Sequence, residues 1–225
     1  MQLTRTQFEE ELEGLRNQLL EMGSHAGQMI EMAMQALVRR DVSLAELVIA
    51  ADDKIDDLDV EIETECIRLI ALQQPLARDL RLIGTALKVI TDLERIGDHA
   101  VDIAKVARKL ATSGEAELVD FAPMGGAVRR MIRDALEAFV NHDLLLTGKV
   151  IDTDDEVDDL FHAIRTELHE AMKREPELVV QASYLLFVAH YLERVADHLV
   201  NIAERVHFVE TGVQPQLAKS HRTVS

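Results

Sequence analysis

Apolar residues recur along this chain at spacings of three and four. Ile83, Leu87, Ile90 and Leu93 form one stripe, and Leu58, Ile62, Cys66 and Leu69 another. That is the period of helices burying one face. No stretch alternates for long enough to compete as a strand. Pro75, Pro123 and Pro176 fall between the periodic stretches, and Pro215 lies in a polar tail; prolines break helices there. The pattern predicts six helices, the first from about Thr6 to Val38, with a bend admitted by Gly14, Gly23 and Gly27. A second begins near Ser43, where Ser43 and Glu46 read as a capping box, and ends near Gln73. A third follows Pro75 and fades at about 112–114. The last three cover roughly 126–142, 144–174 and 177–210, after a linker at about 112–126. Helices of ~30 residues are about 45 Å long, and short connections between them make antiparallel bundles.

The chain repeats itself. Asp53-Lys-Ile-Asp-Asp-Leu58 matches Asp155-Glu-Val-Asp-Asp-Leu160, and Asp41 matches Asp143 at the same offset. Leu93-Glu-Arg-Ile-Gly-Asp-His99 matches Leu192-Glu-Arg-Val-Ala-Asp-His198 at an offset three residues smaller, the difference falling around the Pro75 and Pro176 turns. Two matches in one order mark a tandem duplication. The expected architecture is all-α: two homologous antiparallel three-helix bundles, 1–114 and 115–212, followed by a flexible tail, 213–225.

Composition agrees with a buried helical core. Hydrophobic residues make up 48% of the 225, with four prolines and ten glycines. Aromatics are 4% with no tryptophan, too few for platforms that stack bases. The formal charge of −17 repels phosphate backbones and anionic lipids, so nucleic acid is excluded as a partner. No apolar run approaches the ~20 residues of a membrane span. The first residues lack a signal-peptide core, and a cytoplasmic protein is expected. Cys66, the single cysteine, reads as a buried thiol.

The acids suggest the chemistry. Glu94, Asp98 and Asp102 lie at i, i+4 and i+8 on one helical line, and the repeat gives Glu193, Asp197 and Asn201. The preceding helix of each half carries Asp52, Asp53, Asp56, Asp57 and Asp59, or Asp154, Asp155, Glu156, Asp158 and Asp159. Folded antiparallel about Pro75, Asp56 and Glu94 stand at one height; about Pro176, so do Asp158 and Glu193. Facing carboxylates call for cations, and hard oxygen donors select Mg²⁺, Ca²⁺, Mn²⁺ or iron. The competing reading is a solvated acidic face, with Arg95 and Lys105 placed to pair with Asp98 and Asp102 at three residues' distance. His99 and His198 share the repeat as structural groups. His25 and the pair Glu204–His207 resemble fragments of carboxylate–histidine sites, short of a di-iron set. Arg78, Arg81 and Lys88 make a small basic stretch, and Met22, Met29, Met32 and Met34 read as core filler. Phosphate-loop, hydrolase-triad and paired-cysteine motifs are missing.

The segments Asp53-Lys-Ile-Asp56, Leu72-Gln-Gln-Pro-Leu-Ala-Arg-Asp-Leu-Arg81 and Thr91-Asp-Leu-Glu-Arg-Ile-Gly-Asp-His-Ala-Val-Asp-Ile-Ala104 closely resemble the PhoU family, and the second half resembles its second copy. The resemblance implies two three-helix bundles with metal ions, as single ions or multinuclear clusters, at Glu94–Asp98 and Glu193–Asp197. The ligand set expected with these is Asp53, Asp56, Glu94, Asp98 and Asp102, then Asp155, Asp158, Glu193, Asp197 and Asn201. The ion would be iron, Mn, Mg, Ca or Zn. It also implies a non-enzymatic negative regulator of phosphate uptake. Such a protein links the ATPase subunit of a phosphate ABC transporter to a sensor histidine kinase, meets the membrane through those partners, and forms a homodimer. Two departures stand out: Arg174-Glu-Pro-Glu-Leu-Val-Val180 replaces the Gln-Gln-Pro-Leu-Ala-Arg-Asp pattern, and Asn201 replaces an aspartate. The alternatives are a carboxylate-cluster hydrolase or oxidase, and a helical metal-storage or scaffold protein.

Overall fold

The computed structural model describes residues 5–112 and 118–213. It contains α1 (Arg5–Arg39), α2 (Val42–Gln73), α3 (Ala77–Leu110), α4 (Ala122–Asn141), α5 (Leu144–Arg174) and α6 (Val179–Thr211), with a single 3₁₀ turn, Pro176–Leu178, leading into α6. Helices α1, α2 and α3 pack on one another, as do α4, α5 and α6. The two bundles join mainly along α3 and α6, and to a lesser extent along α1 and α4. Of the linker expected at about 112–126, residues 113–117, with the division at 114, fall outside the described residues, as does the tail beyond Val213, and 122–126 are already part of α4.

The long helices start where their sequences satisfy the first free N–H groups. Asp41 is extended (φ −90°, ψ 100°) and its carboxylate accepts from Leu44 N at 3.0 Å. Its repeat, Asp143, accepts from Leu145 N at 2.8 Å and Leu146 N at 3.3 Å. The box expected at Ser43 is therefore not the start of α2; an aspartate two residues earlier caps it, and Ser43 is already helical. Helix α4 begins at Ala122, about one turn before the predicted start. Pro123 sits in its first turn, where a missing N–H costs nothing.

Helix α1 is continuous through its glycines. A Cβ on Gly27 would stand 2.9 Å from Ile132 Cγ2, and one on Gly23 would overlap Leu136 Cδ2. These two glycines, one turn apart, form a notch that admits two α4 side chains, also one turn apart. They serve close approach, not bending. The core runs without interruption through both halves. Met22, Met29, Ile55, Ile62, Ile83, Ile96, Ile103 and Met124 are among its fully buried side chains. Cys66 lies within it, and burial pushes its thiol up to about 12.

Candidate functional site

On α2 the buried stripe Ile55, Leu58, Ile62, Cys66 and Leu69 continues upstream into acids. Asp52 and Asp59 fall on that stripe and are half-buried, while Asp53, Asp56 and Asp57 are exposed. The half-buried α3 row Glu94, Asp98 and Asp102 lies across from them. Gly97 makes room for the approach: a Cβ there would meet Asp52 Oδ1 and two carbons of Ile55, each at 3.4 Å. Burial raises the Asp52 carboxyl above its ordinary range, and then Asp56 and Asp98 raise it further. Glu94 is raised by burial first, then by Asp98, with Arg95 opposing and Asp59 and Asp56 adding from α2. Asp59 is raised by burial and by Glu63 and Asp56. The α2 and α3 acids thus share one groove, as the antiparallel register requires.

The second half repeats the plan with changes. Asp154, the repeat of Asp52, is buried, and Asp158 is half-buried. Across from them stand Glu193 and Asp197. Glu193 is raised by burial, then by Asp197, with His190 opposing and Asp158 adding from α5. Glu156 lies outside the groove and holds Arg130 at 2.7 Å. Asp53 and Asp155, expected as ligands, are exposed about 100° around the helix from Asp52 and Asp154. The signal for the inward pair was in the sequence, since Asp52 and Asp154 extend the apolar stripe and Asp53 and Asp155 do not.

Arginines line the rim of both grooves. Arg95 Nη1 donates to Asp98 Oδ2 at 2.8 Å and its Nε stands 3.4 Å from Glu94 Oε2. Arg194 repeats the contact with Asp197 at 3.1 Å, and Lys105 reaches Asp102 at 3.4 Å. Asn201 turns elsewhere: its amide donates to Asp92 Oδ1 at 3.1 Å, across the α3–α6 seam. His198 Nδ1 meets the same oxygen at 2.9 Å. Asp92 was not anticipated as a tie between the halves. His99 stacks on Tyr191 with ring centres 5.6 Å apart and lies 5.8 Å from the His198 ring. His25 Nε2 is bonded to the Ala51 carbonyl at 2.9 Å, Arg78 to Glu210 at 2.7 Å, and Arg81 to the Val209 carbonyl.

The donor set is of the chemical kind that suits a hard cation, being carboxylate-rich and half-buried, with Arg95, Lys105 and Arg194 pairing part of it at the rim. Glu193 Oε2 is buried and accepts no aligned hydrogen bond, its nearest cationic neighbour being His190 Nδ1 at 3.2 Å. Among the described residues, no three His, Cys, Asp or Glu side chains close round one point. The acids stand as facing rows rather than cages.

The geometry agrees with what this chain resembles. The PhoU domain matches residues 19–107 and again 121–206, covering both repeats. A phosphate-specific transport system accessory protein PhoU homolog of Clostridium acetobutylicum is 44% identical over 217 residues, covering 96% of this chain and 99% of that protein. A homolog of the same description from Caulobacter vibrioides is 40% identical, covering 91% and 90%. The crystal structure of PhoU from Pseudomonas aeruginosa superposes with a TM-score of 0.88 at 36% identity, covering 92% of this chain and all of that one. That of the phosphate transport system regulatory protein PhoU from Streptococcus pneumoniae gives 0.86 at 33%, covering 92% and 99%. With the PhoU domain matched over both repeats and relatives matched along nearly its whole length, this chain belongs to the PhoU family.

Proposed function

We propose that this chain is a non-enzymatic negative regulator of phosphate uptake, an adaptor between the ATPase subunit of a phosphate transporter and a sensor histidine kinase. The observation that carries the reading is family membership across both repeats, with relatives named as accessory proteins of phosphate-specific transport. No helix among the described residues is long and apolar enough to cross a membrane, so contact with a transporter would run through protein surfaces. The −17 charge suits basic partner surfaces.

In this reading the two grooves hold metal ions. Asp52, Asp56, Glu94 and Asp98 would serve in the first half, and Asp154, Asp158, Glu193 and Asp197 in the second. A bound cation would supply charge neutralisation, fixing helices α2 and α5 against α3 and α6. Arg95 and Arg194 hold the aspartates on the rim and shape the rows.

Deleting the gene in its own host and measuring a phosphate-starvation reporter in ample phosphate tests the regulatory reading. Derepression, reversed by the wild-type chain and accompanied by crosslinking to kinase and transporter ATPase, is expected. Unchanged repression would overturn it. Metal content of untagged protein, beside the double variant Glu94→Ala and Glu193→Ala, tests the grooves: bound metal lost in the variant is expected, and equal content in both would remove them as sites.

A further inference from the structure

Between α1 and α4 lies a cleft with no part in the acidic rows. The two helices run antiparallel: Gly27 receives Ile132 and, further along, Gly125 lies under Met34, where an added Cβ would stand 3.6 Å from Met34 Cε. Beside these contacts the helices leave a cavity of about 320 Å³. Its lining is mostly apolar, with Ile30, Met34, Val38, Phe121 and Ile132 as the main side chains. The charges sit at its rim. Arg129 stands 3.7 Å from Glu31, both side chains being exposed, which makes a long and weak pair. Arg39, where α1 ends, makes no hydrogen bond or ion pair among the described residues. One end of the cleft is therefore apolar and closed by Gly27 and Ile132. The other carries an unpaired cation, in a molecule whose formal charge is −17.

Size and polarity decide what fits. From Gly27 to Val38 the cleft is about 16 Å long, so its mean section is roughly 20 Å², about 5 Å across and half the ~10 Å width of a helix. A partner helix does not enter. An extended peptide is thinner, but the ~5 residues spanning that length carry about ten backbone polar groups. Apart from Gln35 and the rim charges, the walls have nothing to pair them with, and each stranded group is costly. A single alkyl chain has the right section and strands nothing. At about 1.2 Å per bond, the length takes roughly thirteen carbons. The volume agrees, since a dry cavity of ~150 Å³ holds a six-carbon ring.

We infer that this cleft binds one medium-chain fatty carboxylate, its tail toward Gly27 and Ile132 and its head on Arg39. The site is built on α1 and α4, which carry none of the acidic rows, so its failure would leave the regulatory reading untouched.

The test is calorimetric titration of the full chain with straight-chain carboxylates below their micelle concentrations. Dodecanoate is expected to fill one site. From octanoate upward, affinity should rise about fourfold per methylene and level off near fourteen carbons, where the cleft ends. Arg39→Gln should weaken dodecanoate roughly tenfold or more, and dodecanol should bind the wild type as weakly. At Gly126, on the cleft wall, an added Cβ would have only Arg130 Nη1 near it, at 3.9 Å. Gly126→Leu should therefore keep the fold, with better helix propensity, and plug the cleft; loss of dodecanoate binding at an unreduced Tm is expected. Undiminished binding by Gly126→Leu, equal affinity for dodecanol and dodecanoate, or affinity still climbing at eighteen carbons would show adsorption to apolar surface at large and overturn the inference. A wild-type chain that binds no free carboxylate would overturn it too, even if it bound phosphatidylglycerol vesicles.

Discussion

His99 shows how one buried side chain couples this fold to pH. Burial lowers its imidazole to about 4, with His198 and Arg194 of α6 pushing the same way and Asp102 and Asp98 opposing. Its ring lies on Tyr191 and its Nδ1 is buried without a hydrogen-bond partner, so the folded state prefers it neutral. The unfolded chain binds the proton more readily. The stability contributed is therefore complete above about pH 6.5 and is lost as pH falls toward 4. After allowance for solvent screening of a half-buried group, the loss is about 1–2 kcal/mol. Urea denaturation at pH 7 and pH 4.5 is expected to show a smaller difference for His99→Gln than for the wild type. At this scale the sequence was half legible. The acid rows and their arginines could be placed from spacing, because i+3 and i+4 neighbours meet on any helix. The inward aspartates Asp52 and Asp154 extend apolar stripes that the sequence shows, whereas the tie through Asp92 depends on how helices of the two halves meet, which only their packing decides.

At the scale of single helices, two features separate local rules from tertiary ones. Asp41→Ala removes the acceptor for Leu44 N and should cost about 1 kcal/mol in chemical denaturation. Ser43→Ala should change little, as the cap lies two residues earlier. The glycines of α1 divide in the same way. Gly14 is exposed, and a Cβ added there would meet nothing within 4 Å, so Gly14→Ala should raise stability by about 0.5–1 kcal/mol through a stiffer unfolded chain. Gly23 receives Leu136 and Gly27 receives Ile132. The double variant Gly23→Ala and Gly27→Ala should lose about 1–3 kcal/mol through overpacking against α4, although each change improves helix propensity. Thermal melts of the single and double variants check both signs. The sequence showed three glycines in a helix and admitted a bend; it could not show that two of them were notches, because the side chains filling them come from more than a hundred residues away.

For the molecule as a whole, the duplication predicts two similar halves, and the structure joins them through one continuous core. Buried residues of α3 and α6 belong to the same continuous core as those of the outer helices. The seam is closed by polar contacts as well: Asp92 accepts from Asn201 and meets His198 at 2.9 Å, while Glu210 on α6 receives Arg78 from α3 and His142 from the end of α4. A chain whose halves shared only a linker would melt as two units. Here neither half can expose its face of the seam without stripping apolar area from the other, so calorimetry should show a single transition with matching calorimetric and van't Hoff enthalpies. Asp92→Ala would leave His198 and Asn201 without their shared acceptor and should cost about 1–3 kcal/mol. If the seam is what binds the halves together, that variant should broaden or split the transition as well as lower it. A uniform downward shift, with the enthalpies still matching, would place the coupling in the apolar contacts of α3 and α6 and leave the polar tie a local one.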